Sequence, residues 1–345
     1  MSSTSERRVP THRAVVVAIF LTVISVLATS LGCQPSVAEV PAGQQRGFAL
    51  PTWEVTGYDG PGLEQSLREI RALGANWVQF TPTWYQQTPT SSDVYRTDRT
   101  VSDSGQERAI TLAHDLGLKV LLKPHLNVSP QGSNRIAAQD RPAWFASYTA
   151  FITHYATMAQ RLGVEQLAIA TELASMTDDR PGWLGVIQAV RDQYDGQLTY
   201  ASSTDWERVP FWDALDLIGL DVYAPLSATP TTDVQALQQA AESFIPRIAA
   251  LSARYDRKIL FTEAGYTSQQ GTATDPSSWR ISTVPAQAEQ AAAYQALLAA
   301  ASDKPWWAGV FWWVWATPPY TEAEPLDFSP RGKEAEDVIR RWWTS

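Results

Sequence analysis

Short apolar runs alternate with helix-periodic segments eight times along this chain, and that alternation limits its fold more than any other feature. The runs fall at residues 48–53, 77–81, 120–124, 166–171, 198–201, 217–222, 259–262 and 310–313. They are largely apolar, as strands buried on both faces of a parallel sheet would be. Helices are predicted at 61–73, 104–116, 142–162, 183–194, 206–214, 233–255, 285–301 and 330–343. Gly74, Gly117 and Gly163 stand just past three of them, and Pro61, Pro142 and Pro285 open three. The first strand-to-helix turn has no glycine-rich phosphate fingerprint, and no P-loop occurs. The pattern therefore predicts a single (β/α)8 TIM barrel over residues 47–345 rather than a doubly wound open sheet.

The front of the chain reads differently. Arg7, Arg8 and Arg13 precede an apolar run over 14–27, followed by Ser30-Leu31-Gly32-Cys33, so residues 1–32 are expected to be an export signal. Cys33 is the only cysteine, which rules out a disulfide framework. Its position resembles the lipidation site of a bacterial lipoprotein, although Ser30 stands where leucine is usual. An uncleaved anchor over 14–31 and plain secretion with an incidental cysteine are the alternatives. All three place the domain outside the cytoplasm. Residues 33–46, rich in Pro, Ala, Gly and Gln, read as a flexible tether. With Lys+Arg 27 against Asp+Glu 36, the net charge of −9 disfavours nucleic acid as a partner. Contact with membrane is expected only through the N-terminal lipid or signal anchor, and the domain is expected to be a monomer.

A barrel of this kind places its chemistry at the C-terminal ends of its strands. Polar and aromatic residues gather there: Lys123-Pro124-His125-Leu126-Asn127, Thr171-Glu172-Leu173, Asp221-Val222-Tyr223, Thr262-Glu263-Ala264-Gly265-Tyr266 and Trp312-Trp313-Val314-Trp315. Glu172 and Glu263 each follow an apolar run at the end of the fourth and seventh strands, where burial perturbs a carboxyl. Projecting into one pocket, one protonated and one ionised, they would form the pair that glycoside hydrolysis uses. Elsewhere each would be a surface glutamate or half of an ion pair. Tryptophan outnumbers phenylalanine, 15 to 10, and sugar rings stack on indole faces. Trp53, Trp84 and Trp315 are the candidates for lining subsites, with Trp313 beside them; Trp312 and Trp313 read equally as core, and Trp342 and Trp343 read as core first. The four histidines show no metal-binding spacing, His114 and His154 falling within helices, and no G-x-S-x-G elbow appears. No metal or cofactor is implied.

Taken in order, these segments resemble glycoside hydrolase family 113 of clan A. The likeness runs from Gly74-Ala75-Asn76-Trp77-Val78 and Trp84-Tyr85-Gln86, through Leu122-Lys123-Pro124-His125, Trp144-Phe145 with Tyr148, and the strand-end motifs above, to Asp327-Phe328-Ser329-Pro330-Arg331-Gly332-Lys333. The resemblance implies a retaining, endo-β-mannanase-like enzyme on a (β/α)8 barrel. Glu172 would be its acid/base, Glu263 its nucleophile and Tyr223 a partner that orients Glu263, while Asn127 and Arg135 match positions near the substrate. Most of clan A has Asn before the acid/base, where it holds the sugar 2-hydroxyl. Thr171 stands there in this chain, leaving Asn127 or His125 to supply that contact. The expected partner is a β-linked polysaccharide or oligosaccharide, mannan first, then xylan or glucan; a surface lipoprotein that binds such glycans without cleaving them is the alternative.

Overall fold

The computed structural model describes residues 43–128, 133–317 and 326–344. The predicted signal, Cys33 and the tether as far as residue 42 lie outside the described residues. The described residues form ten strands: β1 (Gln45–Pro51), β2 (Trp77–Thr81), β3 (Thr83–Gln86), β4 (Lys119–Leu122), β5 (His125–Val128), β6 (Gln166–Thr171), β7 (Gln197–Ser202), β8 (Ile218–Val222), β9 (Ile259–Ala264) and β10 (Trp307–Trp312). Eight close into a barrel in the order β1-β10-β9-β8-β7-β6-β4-β2, every neighbouring pair parallel. The first strand starts at Gln45, inside the segment expected to be tether.

The helices are α1 (Gly62–Ala72), α2 (Asp103–Asp115), α3 (Arg141–Leu162), α4 (Arg180–Arg191), α5 (Val234–Glu242), α6 (Ile245–Tyr255), α7 (Gln287–Ala301) and α8 (Glu334–Thr344). Two expectations need correction. The helix predicted over 206–214 is only a 3-10 turn, Trp212–Ala214, because Pro210 in its middle removes a backbone donor and clashes with the preceding turn. The single helix predicted over 233–255 is two. Pro246 sits in the first turn of α6, where its missing N–H costs nothing, and it could not have continued α5.

The pair β3–β5 was not anticipated. Each strand resumes after a proline, Pro82 beyond β2 and Pro124 beyond β4, and the two run parallel from Thr83↔His125 to Gln86↔Val128. They carry the wall of the barrel past its rim on one side of the mouth.

The apolar core has two layers. Between strands and helices lie residues such as Phe48, Ile169, Trp183 and Trp312. Inside the barrel, Trp77, Leu121, Ala168, Leu217, Leu260, Ala308 and Phe311 form a separate plug, with the rings of Trp77 and Phe311 edge to face at 6.2 Å. Beneath that plug, at the N-terminal end of the strands, Gln45 donates to the side-chain oxygen of Gln166 at 3.0 Å. The barrel is thus a filled core whose open end is the other one.

Candidate active site

Alternation along a strand sends every second side chain into the barrel. On β9 that rule puts Leu260 and Thr262 inside and Glu263 outside. Glu263 nevertheless faces the mouth, because β9 holds one residue more than both neighbours: Leu220 and Asp221 of β8 pair with Phe261 and Glu263, and Val310 and Trp312 of β10 pair with Phe261 and Ala264. Such a bulge re-aims a side chain. β6 repeats the device, since Ala168 and Thr171 pair with Thr199 and Ala201 of β7. Glu172 follows at once with φ 53°, a left-handed conformation that costs a non-glycine residue about 1–2 kcal/mol. Its amide donates to the Ala201 carbonyl at 2.8 Å, and the next amide, of Leu173, donates to the buried Tyr200 hydroxyl at 3.1 Å. Gly265 lets the chain turn away from β9, as a Cβ there would lie 2.4 Å from the Trp313 carbonyl oxygen.

The two glutamates share one cavity of about 270 Å³, lined by Trp53, His125, Leu126, Ser133, Thr171, Glu172, Tyr223, Glu263, Ser277, Trp279, Trp313 and Phe328. Glu263 accepts from Lys123 Nζ at 2.5 Å on Oε1 and from the Tyr223 hydroxyl at 2.8 Å on Oε2. Burial raises both carboxyls. Glu172 rises to about 7, with Asp221 adding to the rise and Lys123 and a Ser203 hydrogen bond opposing it. Glu263 rises to about 8, with Lys123 opposing and Asp221 and Glu172 adding. Tyr223, buried beside these carboxylates, is pushed well above its ordinary value and stays a donor. Burial, helped by Lys123, holds His125 neutral. The His125 ring stacks on Trp313 at 6.0 Å and 7°. Its Nε2, 3.8 Å from Glu263 Oε1, and Thr171 Oγ1 are both buried without a hydrogen-bond partner.

Of the residues singled out from sequence, Trp53, His125, Tyr223, Trp313 and both glutamates line this cavity. Trp84 does not: its indole N–H donates to the Tyr155 hydroxyl at 3.0 Å and its ring packs on Phe151 and His154 of α3. Trp315 is also elsewhere, buried against Phe48 with ring centroids 5.0 Å apart. Asn127 lies on β5 opposite Tyr85, and Arg135 is exposed in the 3-10 turn Ser133–Arg135; neither is among the lining residues. Trp312, stacked on Tyr294 at 4.0 Å, and Trp343 belong to the core.

Lys123, Asp221 and Trp279 are among the residues of the site to which the sequence assigns no role. Lys123 and Asp221 carry the signal that marked the glutamates, an ionisable group directly after an apolar run. Trp279, 49% exposed, had none, because it sits in the long connection between β9 and α7. Buried Gln269 ties that connection down: its amide nitrogen donates to the carbonyls of Trp279 and Leu326 at 2.8 and 2.6 Å, and its oxygen accepts from Ile281 and Ser282 at 2.8 and 2.9 Å.

A closed parallel barrel with two carboxyls sharing one cavity at the ends of its fourth and seventh strands defines a barrel enzyme of the paired-carboxyl, glycosidase type. The chain belongs to glycoside hydrolase family 113, whose family model matches residues 51–332. Among solved structures it is similar to the GH113 β-mannanase AaManA of Alicyclobacillus acidocaldarius in complex with ManMIm. The identity is 28% and the TM-score 0.78, with 87% of this chain and 96% of that chain covered. It is similar also to a GH113 β-1,4-mannanase solved as a complex, at 27% identity and TM-score 0.77 over 88% of this chain and 100% of that one. The β-glucuronidase of Faecalibacterium prausnitzii shares the fold, at 14% identity and TM-score 0.62 over 87% of this chain and 49% of that one. A comparison with curated proteins finds no match.

Proposed function

We propose that this chain is a retaining glycoside hydrolase acting on β-1,4-linked mannan or manno-oligosaccharides. The observation that carries the reading is the different surroundings of two carboxyls in one cavity, Glu263 buried and Glu172 half-buried. Burial alone would leave a proton on Glu263 at neutral pH. The contacts argue the reverse order, because Glu263 faces an ammonium at 2.5 Å and a phenol hydroxyl at 2.8 Å, donors that favour its anion. Glu172 is helped by Lys123 only through space and by a Ser203 hydrogen bond, and keeps the proton. Glu263 then attacks the anomeric carbon as the C–O bond breaks, and the Glu172 proton goes to the leaving oxygen. Glu172 next removes a proton from water, which displaces Glu263 and returns the sugar with its configuration retained; the carboxyls must stand roughly 5–5.5 Å apart for this. Unpartnered His125 Nε2 and Thr171 Oγ1 are suited to meet sugar hydroxyls, and Trp53 and Trp313 to stack on the ring. Mannan is favoured over other β-glycans by the similar GH113 structures, which are described as β-mannanases.

The test is hydrolysis of mannan, xylan, mixed-linkage glucan and laminarin by the chain and by its Glu263→Gln variant. Cleavage of mannan that vanishes in the variant is expected. Cleavage of another glycan would replace the substrate, and binding without cleavage would make the protein a carbohydrate-capture protein. The basic-then-apolar N-terminus and Cys33 support export and lipid tethering. Radiolabelled palmitate should enter the unmodified chain and not Cys33→Ala; no incorporation would leave plain secretion or an uncleaved anchor.

A further inference from the structure

The buried ammonium of Lys123 takes no bond-making or bond-breaking part in the reaction just described. From just beyond the end of β4 its stem reaches across the mouth, and Nζ meets Glu263 Oε1 at 2.5 Å and both oxygens of Asp221 at 3.3 Å. The side chains of Lys123 and Asp221 are 0% exposed and that of Glu263 8%. Desolvation would drive the proton off a lone ammonium here; Asp221 and Glu263 outweigh it and hold Lys123 above its ordinary value. Asp221 is itself fixed, since Thr262 Oγ1 donates to its Oδ1 at 2.7 Å and the strand register sets it opposite Glu263. Two like charges on adjacent strands are thus joined through one cation.

We propose that Lys123 is a positioning residue that keeps Glu263 ionised and its Oε1 fixed, and that Asp221 is the fixed counter-charge that limits this hold. The proposal rests on Glu263 being the nucleophile. A nucleophile here must be an anion while Glu172 holds its proton, yet a cation bound to it alone would sink its electron pair too deeply to attack. Sharing the ammonium between two carboxylates meets both demands. The other groups facing Glu263 do not supply a cation: His125 is neutral, Tyr223 is a neutral donor, Glu172 is a carboxyl, and Trp313, beyond the end of β10, is uncharged.

The two partners should therefore move Glu263 in opposite directions. Lys123→Met should raise the midpoint of the Glu263 carboxyl by about 1–3 pH units, and Asp221→Asn, which removes a neighbouring negative charge, should lower it. The midpoint is read by 13C NMR on full-length chain labelled at the glutamate carboxyls, with Glu263→Gln assigning the signal. The acid limb of kcat/KM on the cleaved glycan should move with it. If Lys123→Met does not fold, Lys123→Cys alkylated with 2-bromoethylamine restores the ammonium and should restore the limb, with alkylated unmodified chain as the control for Cys33. Opposite displacements support the proposal. A midpoint that stays put, or that moves the same way in both variants, overturns it. An unmodified chain that cleaves no glycan sinks the glycosidase reading, while the carboxyl titration still decides whether Lys123 holds Glu263.

Discussion

The two ends of the barrel are built from the same strands and obey opposite rules. At the closed end the plug is apolar, and the polar pair beneath it, Gln45 and Gln166, is uncharged and shares one hydrogen bond while Gln45 Oε1 and Gln166 Nε2 have no partner. At the open end, a few residues along, Lys123, Asp221, Glu172 and Glu263 are crowded together with the orphaned Thr171 Oγ1 and His125 Nε2. Buried charges cost stability; the apolar plug supplies the margin that lets the mouth keep them. The end of β4 shows both rules within three residues, Leu121 in the plug and Lys123, just beyond the strand, in the site.

That contrast can be broken by substitution. Glu172→Gln should cut turnover of glycans by about 10²–10⁴-fold, leave thermal unfolding no lower than in the unmodified chain, and recover activity on aryl glycosides whose leaving groups need no proton. A collapsed melting curve would instead make Glu172 a structural residue. Leu121→Ala should behave in the opposite way, losing about 2–5 kcal/mol in denaturant unfolding while kcat/KM per folded molecule stays the same.

pH sharpens the comparison. Glu172, which keeps its proton in the working enzyme, sits above its ordinary value in the folded chain, so the folded state holds a proton that the unfolded chain has already released. Its contribution to stability is therefore full below about pH 4.5, the ordinary glutamate value, and is lost as pH rises through about 7. Melting temperature should fall between pH 5 and pH 8, and fall less in Glu172→Gln; parallel curves would refute the assignment of this shift. Activity should decline on the alkaline side as Glu172 ionises near 7.

The smallest effects separate two tryptophans. Trp279→Ala should raise KM for long oligosaccharides about two- to tenfold without changing the melting point. Trp84→Phe, which deletes the hydrogen bond to Tyr155, should cost about 1 kcal/mol and leave KM alone. A KM effect of Trp84 would return it to the substrate path.

The barrel itself was legible because its eight strands are apolar on both faces, a pattern that survives errors of one to three residues at each end. β3 and β5 were hidden because Pro82 and Pro124 interrupt the runs that contain them. The glutamates were visible as ionisable groups after apolar runs. That they face inward was not, since a two-residue repeat followed along β9 would turn Glu263 outward and only the extra residue in that strand turns it back. The tryptophans were the least legible. Their abundance pointed to sugar stacking, but Trp84 and Trp315 are claimed by α3 and Phe48 through contacts distant in sequence, and Trp279 lies in a connection without periodicity.

Gln269 makes the upper wall of the cleft separable from the chemistry beneath it. One buried amide fastens Trp279, Ile281, Ser282 and Leu326, Glu289 accepts from the Gly271 amide and the Ala273 carbonyl accepts from the amides of Leu226 and Ser227, and none of these ties reaches either glutamate. A lineage adapting to a different polymer could rewrite residues 270–284 as a cassette, changing what the enzyme grips without touching how it cuts.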